Sequence, residues 1–120
     1  MFRIFTLIII FLFFNTGKYT YASNSSGQLG SIDFSTSVSG TAQKHFLHGV
    51  AALHSFWYTE ALSSFKKSVS LDPEFAMGYW GLAMAHNHPL WEEQDYQSAK
   101  VALSKINNFS KLTQREQDYI

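Results

Sequence analysis

Gly49…Ala61-Leu62-Ser63-Ser64-Phe65…Asp72-Pro73 is the stretch whose reading decides the fold. Ala61 follows Gly49 by twelve residues, Phe65 follows by four more and Pro73 by eight. The spacing predicts two helices joined by a short turn. The first opens at Thr41, a good N-cap, and carries Phe46, Val50, Leu53 and Trp57 at helical intervals. The second opens near Thr59, with Leu62, Phe65 and Val69 along one face. Asp72-Pro73 stops it, because the residue before proline disfavours the helical region. Gly49 and Ala61 are small, which lets two helices cross closely.

Downstream the same logic gives more helix. A third helix runs from Pro73, which suits a first turn, to Asn87, with Phe75, Tyr79, Leu82 and His86 on one face. His88-Pro89 closes it, and a fourth spans about 93–106 with Tyr96, Ala99, Leu103 and Ile106 aligned. Glu92 and Glu93 read as its solvated start, where negative charge suits the helix dipole. Thr113-Gln114-Arg115-Glu116 has the form of a capping box and opens a fifth helix. There is no Asn-Gly hairpin signal. The fold class is all-α: antiparallel helix pairs stacked in series.

With Pro73 closing the first unit, the pairs repeat at a period near 34 residues, and the pattern resembles the tetratricopeptide repeat. The resemblance covers 42 to about 110. It implies a first repeat over about 42–75, a second, degenerate one over about 76–110 and the start of a third at 113–120. It implies that Gly49, Ala61, Ala83 and Ala99 are the small packing positions and that Phe65 and Leu103 fill the space between units. Tyr79, Leu82 and Ala83 fall where the family has its first-helix Trp, Leu and Gly, and Pro73 is the closing proline. The chain departs from the pattern at His45, His48 and Ala52, at His86 and Ile106, and in lacking a second closing proline. The runs Phe75 to Met84, His86 to Trp91 and Thr113 to Tyr119 are also similar to the start of long exported tetratricopeptide proteins. That similarity implies an N-terminal part of a longer protein. Stacking then leaves Leu103, Ile106 and Phe109 on an open end, with possible self-association through it.

The first 22 residues read as a secretory signal peptide. Arg3 gives a positive start, Ile4 to Phe14 is apolar but for Thr6, and Ala22 is a small residue at a cleavage point. This implies export, to a periplasm or the exterior, with no stable membrane span once the signal is removed. An uncleaved anchor is the alternative, although about 20 apolar residues are needed to span a bilayer. Residues 23–40 are rich in Ser, Gly, Asn and Thr and read as a flexible linker before the helical domain of 41–120. Asn24-Ser25-Ser26 and Asn108-Phe109-Ser110 are glycosylation sequons.

Composition narrows the function. After residue 22 the chain carries seven basic and nine acidic residues, net −2, and no basic cluster larger than Lys66-Lys67. Nucleic acid is therefore not an expected partner. Cysteine is absent, which removes disulfides, thiolate nucleophiles and thiolate metal sites. No nucleophile elbow, phosphate loop or distinctive carboxylate pair occurs, so an enzyme is not expected and no cofactor is implied. The resemblance instead implies a scaffold that binds protein or peptide. The loop of His86, His88 and Trp91, which Pro89 stiffens, is expected to be structural, with histidines capping the third helix and Leu90-Trp91 folded over its end. Ligand contact through His86, His88 and Trp91 is the alternative. Met77, Trp80 and Met84 on the third helix read as core, with Trp80 lining a peptide groove as the alternative. The competing function is metal binding, or metal-dependent catalysis, by His45, His48, His86 and His88, of which the first two share a helix face.

Overall fold

The computed structural model describes residues 29–120. The signal segment, the Asn24 sequon and the first part of the linker lie outside the described residues. The element order is α1 (Gly40–His54), α2 (Tyr58–Leu71), α3 (Ala76–Ala85), β1 (Asn87–His88), a 3-10 turn (Pro89–Trp91), β2 (Glu93–Gln94), α4 (Tyr96–Leu103) and α5 (Gln114–Tyr119). Each of the first three helices packs on the next, and α3 also touches α1. The described chain is thus a set of stacked adjacent helix pairs.

Phe65 holds the first three helices together. Its ring is fully buried on α2, between Gly49 of α1 and Gly81 of α3. A Cβ at Gly49 would sit 2.7 Å from that ring, and one at Gly81 would clash with it. Glycine at both positions lets the ring lie against bare backbone on each side. The small residue facing Phe65 on α3 is therefore Gly81, although Ala83 is buried as well. Gly78 does the same for Val69, whose Cγ1 would be 2.6 Å from an added Cβ. Phe46, Phe75 and Met77 complete the buried centre, with Phe46 and Phe75 meeting edge to face at 5.3 Å between centroids. Two serines tie α2 to α1 across the same crossing. Ser68 Oγ donates to Ala42 O at 2.8 Å, and Ser64 Oγ lies 2.9 Å from His48 Nδ1.

Several boundaries differ from the periodicity. Helix α1 starts at Gly40, and Ser39 rather than Thr41 holds the cap position, with no side-chain cap bond. It ends at His54, so Trp57 leaves the predicted stripe and is half exposed. Helix α2 stops at Leu71 with Asp72 extended, as expected. Pro73 does not open α3. The Asp72 carboxylate instead accepts from Glu74 N at 3.0 Å and Asp72 O from Phe75 N, a local turn that delays the helix to Ala76. Glu93 belongs to a two-residue ribbon, and α4 begins only after Asp95, whose side chain accepts from Ser98 N. This ribbon had no periodic signal, because two residues per strand are too few to show one.

The segment read as linker is packed where it is described. Phe34 is buried against Phe46, with Leu29, Ile32 and Val38 partly buried on the same cluster. At the other end the Thr113 capping box forms in full, and Glu116 is completely buried. Ile106 and Leu112 are not left on an open end. They pack with Ala76 and Tyr79, whose hydroxyl donates to Pro73 O. Leu103, expected between units, is 41% exposed, and Phe109 is also exposed. Among the described residues no helix is long and apolar enough to cross a membrane.

Candidate functional site

The β1–β2 ribbon organises two surfaces. Asn87 pairs with Gln94 and His88 with Glu93, and neighbouring residues of a strand point to opposite sides. Asn87 and Gln94 accordingly border a groove between α3 and α4, whereas His88 and Glu93 border a pocket beside α2. The ribbon also pins the Pro89–Trp91 turn that carries Trp91. Its base is closed by Asp95 N donating to His86 O at 3.0 Å.

The pocket, of about 490 Å³, lies where the 55–57 connection meets the 88–93 turn. Phe56, Trp57 and Trp91 line it, each roughly half exposed, together with Tyr58. Tyr58 and Trp91 meet at 84° with centroids 5.7 Å apart. Phe56 meets Trp91 at 68° and 6.4 Å, and Tyr58 at 62° and 6.5 Å. His88 stacks on Tyr58 at 4.0 Å, and its Nε2 is 3.0 Å from Ala85 O. Because a carbonyl only accepts, Nε2 carries the proton there. His88 thus caps a C-terminal carbonyl of α3, as the structural reading expected, but Leu90 and Trp91 do not fold over the helix end and stay more than half exposed. Glu60 and Glu93 supply two carboxylates, and the lining contains no Lys or Arg. Each is 3.6 Å from an imidazole Nδ1, Glu60 from His48 and Glu93 from His88.

Both non-glycine residues with positive φ among those described belong to these connections: Phe56 at 59° and Glu92 at 54°. For a bulky aromatic such a backbone is uncommon and strained. At Phe56 it forms part of the connection that presents three consecutive aromatics. The run Phe56-Trp57-Tyr58 was the available signal for this pocket. Three adjacent aromatics cannot share one helix face, so at least one had to leave the core.

The groove on the other side has a volume of about 270 Å³ and is lined by Ala83, Met84, Tyr96, Ala99 and Leu103, among others. Met84, Tyr96 and Leu103 are 36%, 74% and 41% exposed. His86 borders it, with Asp95 Oδ2 at 3.9 Å from Nδ1. Hydrogen bonds from Ser98, hydroxyl first and then backbone N–H, hold the Asp95 carboxyl below its ordinary value, and His86 adds a smaller pull in the same direction. Asn87 Oδ1 is buried near this rim without a partner, and nothing in the structure accounts for it. Trp80 is half-buried and meets Tyr119 edge to face at 5.3 Å, so it supports α5 rather than an open groove.

The expected loop residues separate across the ribbon. His88 and Trp91 meet at the aromatic pocket, and His86 stands on the groove side. The four histidines of the metal reading are not gathered. His48 bonds Ser64 on α2, while His86 and His88 engage Asp95 and Tyr58. Among the described residues no three potential ligands converge. No family model, curated protein or solved structure matches the chain.

Proposed function

We propose that the chain is a non-catalytic, exported scaffold of tetratricopeptide type that binds a helical segment of a partner protein. The observation that carries this is the uncovered α3–α4 groove. The contact faces of α1 with α2 and of α2 with α3 are packed, yet Met84, Tyr96 and Leu103 stand open along one side of the α3–α4 pair. A helix is the occupant the geometry suits, because helix-on-helix packing is how α1, α2 and α3 bury their contact faces. Its apolar residues at three- and four-residue intervals would sit over Leu103, Ala99 and Tyr96, as in helix-in-groove recognition. Serially stacked helix pairs support the repeat reading. Export rests on Arg3, the Ile4–Phe14 run and Ala22.

Selection of displayed helical peptides on the exported protein tests the proposal. Selected peptides should share an apolar i, i+3, i+4 pattern and lose at least about tenfold in affinity on Leu103→Asp, with helicity unchanged. Peptides indifferent to Leu103→Asp and Tyr96→Ala would refute the groove. A concentration-dependent dimer abolished by Leu103→Asp would instead assign it to self-association.

A further inference from the structure

The aromatic pocket is a second site, of different chemistry, and the geometry points to a methylated ammonium group as its ligand. Phe56, Tyr58 and Trp91 are three rings in mutually steep planes, crossing at 62°, 68° and 84°. Their centroids are 5.7–6.5 Å apart. All three rings line the one pocket, and a cation is attracted to an aromatic face within roughly 6 Å of the ring centroid. His88 takes one face of Tyr58 and leaves the other.

Three further observations select the charge and shape of the ligand. Glu60 and Glu93 put negative charge at the rim with no Lys or Arg in the lining to cancel it. Each carboxylate has an imidazole Nδ1 at 3.6 Å, too far for a hydrogen bond, so its charge remains available at the rim. No two of the three rings are parallel, so a flat guanidinium could stack on one alone. A round quaternary nitrogen needs no hydrogen bond and meets all three. It is also weakly hydrated, so it gives up little to water on entering an open pocket. Finally, Phe56, Trp57 and Trp91 expose half their surface at one spot, and the strained Phe56 and Glu92 backbones lie in the two connections that form it. Exposed aromatic surface concentrated in this way marks a binding site. The inference is independent of the α3–α4 groove.

A choline-type molecule in solution and a phosphocholine lipid headgroup present the same group. Calorimetric titration of the exported protein uses choline chloride and its uncharged isostere 3,3-dimethylbutan-1-ol, with sedimentation onto phosphatidylcholine or phosphatidylglycerol vesicles in parallel. The expected result is saturable choline binding, at least about tenfold tighter than the isostere, lost in Trp91→Ala and partly kept in Trp91→Phe. Glu60→Gln with Glu93→Gln should weaken it several-fold. Trp91 is 55% exposed at a turn, so its truncation should leave the fold intact, and circular dichroism checks this. Binding to phosphatidylcholine vesicles without binding of free choline, again lost in Trp91→Ala, supports the same chemistry with lipid as the source. Equal binding of choline and the alcohol, equal binding to both vesicles, or no binding in any arm overturns the inference. So does choline binding unchanged by Trp91→Ala.

Discussion

Glu116 Oε1 accepts hydrogen bonds from both the backbone N–H and the hydroxyl of Ser37, each 3.0 Å long, across 79 positions of sequence. The second carboxylate oxygen accepts from Thr113 N at 2.8 Å, closing the capping box. A local helix-start device thereby becomes a latch between the two ends of the described chain. Tyr119 adds to it by meeting Phe34 and Trp80 edge to face.

Removing that carboxylate should be costly. Glu116→Ala leaves the N–H groups of Ser37 and Thr113 without acceptors, at a typical cost of about 1–3 kcal/mol. Glu116→Gln keeps an acceptor oxygen and should lose less. Urea unfolding measures both, with the exposed Lys105→Ala as reference. A Glu116→Ala midpoint equal to that reference would contradict the latch.

The glycines around Phe65 give a prediction of sign. Helix propensity alone favours alanine over glycine by about 0.8–1.0 kcal/mol. Overpacking against Phe65 opposes it by about 1–3 kcal/mol, and the crowding at both positions makes it the larger effect. Gly81→Ala and Gly49→Ala should therefore lower the melting temperature, whereas Gly30→Ala, with nothing within 4 Å of the new Cβ, should not. Phe65→Leu in the Gly81→Ala background should recover part of the loss. Stabilisation by Gly81→Ala would mean that the ring moves aside freely.

Ala61 is fully buried on the same helix where Ser63 is exposed. Ala61→Leu should destabilise by about 1–3 kcal/mol. Ser63→Leu should lie within about 0.5 kcal/mol of the parent. Thermal melts that shift equally would displace Ala61 from the helix crossing.

Asp95 should give α4 a pH dependence. Its folded carboxyl titrates below the ordinary value of 3.8, so the folded state binds its proton less readily than the unfolded chain. The stabilisation is complete above that value and declines as pH falls through it toward the lower folded value. Nuclear magnetic resonance of the Asp95 carboxyl against pH should show the depressed titration, and Asp95→Ala should remove this step from the stability profile. A carboxyl titrating at or above 3.8 would contradict the cap.

If the signal reading is right, mature protein from the native host begins at or near Ser23. N-terminal sequencing decides, and an intact Met1 on soluble protein would refute it.

Much of the helical plan was legible because helices report themselves locally. Asp72-Pro73 stops α2, and the Thr113–Glu116 pair opens α5 through bonds only three residues long. The repeat resemblance marked Phe65 as a residue filling the space between units, and its ring is buried between α1 and α3. Boundaries set by competing side-chain bonds were less visible. The Asp72 carboxylate takes Glu74 N and holds Pro73 outside α3, and the pairing of His88 with Glu93 removes Glu93 from α4.

Among the described residues the sequence alone determined the order of the five α-helices, through local spacing and capping, but not the buried face of α3, where Ala76, Met77, Gly78 and Gly81 are buried while the expected Tyr79, Leu82 and His86 are only half-buried. It also carried, in Phe56-Trp57-Tyr58 and in His86 to Trp91, the residues of the candidate sites, but not their partners. Which glycine receives Phe65, which carboxylate receives Ser37, and which aromatics form one corner are relations between segments distant in sequence. Only the tertiary structure decided them. Periodicity describes one helix at a time, whereas a pocket depends on where two connections end up once the helices beneath them have packed.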